Sequence, residues 1–230
     1  MADGDVGVRL VLLGPPGSGK GTLATQLDKR LSMVSLSTGE IFRQAIRRQT
    51  ALGTSVQAYV SSGGLVPDQL VVKLMVSRLT PRLRRRGFVL DGFPRTVGQA
   101  EGLEAYLARA QKPLHGACYL ACTTPVLIAR LSGRRVCGRC GAIYHLRNMP
   151  PKRRGACDRC DGRLVTRKDD RVATIRKRLA LDHVASTPLL NFYARRGLLV
   201  RINGNGSSEA VYARAMRVFR RQGWIDAGAR

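Results

Sequence analysis

The stretch VRLVLLGPPGSGKGTLATQLDKRL, Val8 to Leu31, decides the fold. Its first part, VRLVLLG, is a continuous apolar run ending in glycine, the pattern of a strand buried on both faces of a parallel sheet. GPPGSGKGT (Gly14 to Thr22) follows and contains G-x-x-x-x-G-K. The glycine-rich turn lets successive N–H groups face inward as an anion nest at a helix N-terminus, and Lys20 can reach terminal phosphates. KGTLATQLDKRL then carries Leu23, Leu27 and Leu31 at helical spacing. Strand, phosphate-sized loop and helix follow in order. Gly21 stands where a Ser or Thr is usual after the lysine, and the hydroxyl arrives one residue later, at Thr22.

The alternation continues outward. The segments beginning at Gly87 (GFVLDGF), Gly116 (GACYLAC) and Gly197 (GLLVRING) read as buried strands, with helical patterns at about 98–111, 125–132, 171–184 and 208–221. Such alternation predicts a parallel sheet covered by helices on both faces. Two segments break the rhythm. Residues 38–80 are helical without a good strand, and residues 133–168 hold cysteines and few core-sized apolar side chains.

The chain has 230 residues, enough for one full core and a small inserted module. Its 40 Lys+Arg against 15 Asp+Glu give a formal charge of +25, a surface that attracts polyanions. The first residues lack the pattern of a secretory signal or transit peptide, and no stretch reaches the apolar length of a membrane span. A cytoplasmic setting is therefore expected. In reducing surroundings paired cysteines suggest metal before disulfide.

Cys137, Cys140, Cys157 and Cys160 form C-x2-C-x16-C-x2-C. Two tight knuckles facing each other build a tetrahedral four-thiolate zinc site, with His145 as an alternative ligand. Four protein ligands leave no position for water, so the metal would be structural. Cys118 and Cys122 lie in an apolar segment without a partner motif and read as buried, inert thiols.

Six further stretches accompany the phosphate loop: STGEIFR from Ser37, LVPDQL from Leu65, GFVLDGFPRTVGQ from Gly87, RLSGRRV from Arg130, TRKDD from Thr166 and IRKRL from Ile175. With them the chain resembles adenylate kinase of the long type, whose lid carries zinc, from about Val8 to Gly206. The resemblance implies a P-loop kinase fold with a core (residues 1–37, 67–132 and 169–230), a nucleoside-monophosphate-binding insertion (38–66) and a zinc-containing lid (133–168). It also implies reversible phosphoryl transfer from Mg-ATP to AMP, giving two ADP; a monomer is expected, because the active site would be complete in one chain.

On that resemblance Gly17, Ser18, Gly19, Lys20, Gly21 and Thr22 cradle the ATP phosphates. Arg130 lies against the ATP adenine, and Ile143, Tyr144 and Gly206 complete its pocket. Thr38 and Gln99 contact the AMP adenine, and Arg43 and Arg95 hold its phosphate. Gly64, Leu65, Val66, Gly92, Phe93 and Pro94 line the same site. Arg134, Arg167 and Arg178 close over the transferring phosphates, and Asp91 holds Mg²⁺ through its water shell. Asp169 and Asp170 have two readings, as caps of the following helix or as partners of lid arginines. Phosphoryl transfer needs positioning and charge compensation above all, a task suited to guanidinium forks.

The lid window holds eleven basic residues against Asp158 and Asp161, and the active site does not account for the whole excess. A solvated basic surface is the plain reading; weak, salt-dependent association with nucleic acid is the sharper one. The rival functions are a kinase for another nucleoside monophosphate and a basic zinc protein that binds nucleic acid without catalysis.

Overall fold

The computed structural model describes residues 7–62 and 64–226. Five strands, β1 (Arg9–Leu13), β2 (Val34–Ser37), β3 (Phe88–Asp91), β4 (Gly116–Ala121) and β8 (Leu199–Asn203), form a parallel sheet in the order β2-β3-β1-β4-β8. Side chains alternate along β1: Leu10 and Leu12 point to one face, Val11 and Leu13 to the other. Helices α1 (Lys20–Leu31) and α9 (Ser208–Arg221) cover the first face through Leu23, Leu27, Met216 and Phe219. On the opposite face lie α4 (Asp68–Arg78), α6 (Val97–Arg109) and α8 (Val172–Arg195), through Met75, Leu103, Phe192 and Tyr193. The central strands β1, β3 and β4 are thus buried on both sides, which is why their sequences show runs rather than an alternation.

β1 pairs with β3 on one side and β4 on the other, with Leu12 opposite Asp91. The chain leaves β1 for one side of the sheet and later returns to the other, so a crevice opens beyond the carboxyl ends of these strands. The phosphate loop and Asp91 both emerge there.

Helices α2 (Thr38–Arg47) and α3 (Ala51–Ser62) form a pair between β2 and α4. They pack closely because Gly53 meets the backbone of Ala45; a Cβ there would lie 2.3 Å from the Ala45 carbonyl oxygen. Helix α5 (Pro81–Arg86) precedes β3, and α7 (Thr124–Ser132) follows β4. Beyond α7, β5 (Arg134–Cys137), β6 (Ile143–His145) and β7 (Leu164–Val165) make a small antiparallel sheet in the order β6-β5-β7. Its apolar cluster contains only Cys137, Ala142, Tyr144 and Cys157, with Cys160 and Leu164 against it.

Three details differ from the sequence reading. β2 carries a strand where none was expected; its four residues, VSLS, are too short and too polar to signal one. α8 runs to Arg195 rather than ending near 184, straight through Pro188. Proline removes the N–H that would bond to the Val184 carbonyl, but Val184 is 74% exposed and water can serve that carbonyl. Cys122 lies just past β4 and is only half-buried, so its expected burial in an apolar strand holds for Cys118 alone.

Candidate active site

The phosphate loop runs from Gly14 into α1, with Gly19 at the N-cap in the left-handed conformation, φ 99°. Glycine takes that conformation without steric cost and leaves the first amides of α1 facing the crevice. Lys20 folds over the loop, donating to the carbonyls of Gly14 at 2.5 Å and Pro15 at 3.0 Å. Burial lowers its pKa, with Asp91 and then Asp182 opposing that shift. Gly21 has a reason for lacking a side chain. A Cβ there would lie 3.3 Å from Asp91 Oδ2, so a hydroxyl-bearing residue would crowd the carboxylate.

Arg130 is a brace. Its guanidinium donates to Ser18 O at 3.2 Å, Gly204 O at 2.9 Å and Gly206 O at 2.7 Å, joining the phosphate loop to the turn between β8 and α9. Cys122 Sγ touches the same group at 3.6 Å, which ties this thiol to the loop.

One cavity of about 1270 Å³ occupies the crevice. Its walls bring together Gly17 to Thr22, Arg43, Leu65, Asp91, Gly92, Pro94, Arg95, Arg130, Arg134, Ile143, Tyr144, Arg167, Arg178 and Gly206. The α2–α3 pair and the small sheet meet above it: a Cβ on Gly141 would lie 2.9 Å from Glu40 Oε1. Glu40 also pairs with Arg43 at 3.3 Å and Arg47 at 2.9 Å.

Thr38, Gly64, Val66, Phe93 and Gln99 do not line this cavity. Thr38 and Gln99 are buried behind its wall, with their polar groups engaged. The Thr38 hydroxyl donates to Gly92 O at 2.8 Å. Gln99 accepts from the Arg95 N–H and donates to Asp68 Oδ1, both at 2.8 Å, while Thr96 Oγ1 donates to Asp68 Oδ2 at 2.6 Å. This network holds the turn that carries Arg95.

The cations come from widely separated parts of the chain. Arg134 at the start of β5 forms two bonds with Asp170, Nε to Oδ2 at 2.7 Å and Nη2 to Oδ1 at 2.5 Å. Arg178 on α8 pairs with Asp169 at 3.0 Å and Asp170 at 3.1 Å. Asp169 and Asp170 are therefore partners of arginines, and α8 begins without a side-chain cap. Arg167 differs: its buried Nε has no hydrogen-bond partner. Burial, then the neighbouring charges of Arg43 and Arg134, hold its pKa below the usual guanidinium range. A desolvated cation of this kind suits an incoming anion.

The sulfurs of Cys137, Cys140, Cys157 and Cys160 lie within 4.8 Å of one another. The Cys140 and Arg159 amides point at Cys137 and Cys157 Sγ, each at 3.4 Å, and the Tyr144 hydroxyl contacts Cys157 Sγ at 3.4 Å. Tyr144 brings the Cys157 thiol down to about 6, and the Arg159 amide adds to that effect. Cys160 has a Gly162 amide favouring its thiolate, yet burial and proton donation to the other sulfurs push it up to about 12. A Cβ on Gly162 would lie 2.8 Å from Cys137 Sγ, so the cluster needs that glycine. The donor set and its outer hydrogen bonds fit a tetrahedral metal. His145 is not part of it: Nδ1 accepts from the amides of Arg147 and Asn148, and Nε2 lies 3.3 Å from Ala129 O.

A parallel sheet with a phosphate loop at its switch point, under a cleft lined by cations and covered by two insertions, defines a P-loop phosphotransferase. The family model for adenylate kinase matches residues 12–198. The chain belongs to the adenylate kinase family. It is 47% identical over 204 residues to an adenylate kinase of Moorella thermoacetica, covering 89% of this chain and 94% of that one. It is 48% identical over 197 residues to one of Treponema pallidum (86% and 91% covered), and 42% over 214 residues to one of Clostridium botulinum (93% and 99%). Among the described residues no helix is long and apolar enough to cross a membrane.

Proposed function

We propose that this enzyme transfers the γ-phosphoryl group of Mg-ATP reversibly to AMP, giving two ADP. The observation that carries this reading is the convergence of Lys20, Arg43, Arg95, Arg134, Arg167 and Arg178 on one cleft with the phosphate loop. Residues 17–22 take the ATP phosphates through main-chain amides and Lys20. Arg130 holds that loop to the turn at Gly206, and Ile143, Tyr144 and Gly206 border the donor base. Arg43 and Arg95 take the acceptor phosphate, while Leu65, Gly92 and Pro94 border its nucleoside with Gly64 and Val66 nearby. Thr38, Phe93 and Gln99 shape that pocket from behind. Arg134, Arg167 and Arg178 compensate the charge that spreads over the transferring group.

Asp91, beside the phosphate loop, is the carboxylate suited to hold Mg²⁺ through water. The ion supplies charge neutralisation on the phosphate oxygens. Zinc on the four cysteines is structural, stiffening a lid (residues 133–168) whose own apolar cluster is too small to fold it. The insertion at 38–66 and this lid exclude water over a core made by the rest of the chain. The site is complete in one chain, which supports a monomer, and four free thiols gathered for a metal suit the reducing cytoplasm. The exposed arginines of the lid and α9 support a weak, salt-dependent affinity for nucleic acid beside catalysis.

The test is ADP formation from ATP with AMP, CMP, UMP and GMP in turn, using zinc-loaded protein and Mg²⁺. A strong preference for AMP is expected. Preference for another acceptor would reassign the acceptor pocket, and no transfer to any acceptor would turn the reading toward a nucleic-acid-binding zinc protein.

A further inference from the structure

Asp182 is an acid among the cations of the cleft. It lies on α8 four residues past Arg178, is half-buried, and lines the same cavity as Lys20, Asp91, Arg95 and Arg178. Side chains four apart on a helix share a face, so the carboxylate and the Arg178 guanidinium look the same way. Yet Arg178 spends its ion pairs on Asp169 and Asp170, and Asp182 has no direct ion pair or hydrogen bond among the described residues.

The carboxylate still acts through space. Lys20, Arg95 and Arg178, in that order, are the charges that most oppose the effect of its burial. For Arg95 it is the foremost charged neighbour, ahead of Arg178 and Asp91, and for Lys20 it comes second to Asp91. Asp91 and Asp182 reach the cleft from different elements. Asp91 ends β3 against Gly21 of the phosphate loop. Asp182 approaches from α8, one turn past Arg178.

A carboxylate beside a phosphate site repels the phosphate, so Asp182 does not serve to grip the substrate. It lowers the potential that the cations create. Six cations around one cleft would hold substrate and product phosphates alike, and uniform tight binding adds nothing to turnover while it delays release. We propose that Asp182 is a positioning residue that offsets part of the field of Arg95, Arg178 and Lys20 and thereby sets how tightly the acceptor phosphate is held. The inference rests on the reading of those three cations as phosphate-holding groups.

The experiment uses the full zinc-loaded chain and its Asp182→Asn, Asp182→Ser, Asp182→Glu and Arg95→Ala variants. AMP binding is measured by calorimetry at low and high salt, together with KM for AMP and kcat. Removing one unit charge from the wall of the cleft should tighten AMP binding about five- to ten-fold at low salt. The gain should shrink as salt rises. KM for AMP should fall in both charge-free variants without a rise in kcat, and Asp182→Glu should restore the parent affinity. Unchanged or weaker AMP binding in both charge-free variants, with Arg95→Ala still weakening it, overturns the role given to Asp182 alone. If Arg95→Ala leaves AMP binding intact, the reading of the phosphate site falls and the inference falls with it.

Discussion

Asp170, whose side chain is wholly buried, accepts both arms of Arg134 from 36 positions earlier in the chain and also contacts Arg178 on α8. The two ends of the 133–168 segment are thereby clamped together beside the cleft. A bidentate pair fixes the orientation of the guanidinium as well as its position.

Removing Asp170 leaves Arg134 largely buried without its counter-charge. Breaking one partner of such a pair costs about 3 kcal/mol or more. Asp170→Ala should lower Tm by about 6–12 °C, the size of shift expected for this chain length. It should also raise KM for ATP, because Arg134 is no longer aimed. Thermal unfolding and steady-state kinetics read the two effects, and a variant with parental Tm and KM would show the clamp to be inconsequential.

Arg167 should behave in the opposite way in the nucleotide-free protein. Its cation is desolvated, lies near Arg43 and Arg134, and has an unpartnered Nε. Arg167→Met should leave Tm unchanged or raise it by about 2–4 °C, equivalent to about 1 kcal/mol at this size. The loss of one donor to the transferring group should cost about 100-fold or more in kcat. Such a split, stability kept and turnover lost, is the mark of strain held at a functional site. A parallel fall in Tm and kcat would contradict it.

The cysteine cluster should carry about one equivalent of zinc per chain by elemental analysis. Stripping it with a strong chelator, or replacing Cys157 by Ser, should loosen the lid while the two large clusters around the sheet keep the core folded. Trypsin should then cut faster at Arg153 and Arg154, both exposed in the lid. Activity should fall through a raised KM for ATP. Equal cleavage rates with and without metal would remove zinc from the account of lid rigidity.

Gln99 joins the Arg95 amide to Asp68, so its loss removes a bond from each. Gln99→Ala should destabilise by about 1–3 kcal/mol, since the Arg95 amide loses its partner while Asp68 keeps its bond from Thr96. KM for AMP should rise more than KM for ATP because the disturbed turn carries Arg95. Denaturant unfolding and the two KM values decide it; equal changes in both KM values would place Gln99 outside the acceptor side.

Much of this molecule is written locally. The buried run before Gly14, the glycine turn and the leucine spacing after Lys20 are short-range features, and they lead to the strand, loop and helix observed. The two cysteine knuckles are legible for the same reason: metal ligation restricts spacing within a few residues, and the four sulfurs do gather. The limits of this reading are physical too. VSLS becomes β2 only because β3 offers it a parallel partner. Pro188 stays inside α8 because Leu189, Phe192 and Tyr193 bury themselves just beyond it, a packing gain that outweighs one lost hydrogen bond.

The sequence by itself determined the class of chemistry, because a phosphate nest, a set of arginines and a thiolate cluster are recognisable from residue type and spacing. Tertiary structure alone decided which polar side chains face the cleft and which stand behind it. Thr38 and Gln99 turn to the backbone and to Asp68, Asp170 turns to Arg134, and Asp182 lines the cleft with the cations without pairing with them. Each of these outcomes depends on groups distant along the chain meeting in a low-dielectric interior, where every buried charge and donor must find its balance in space.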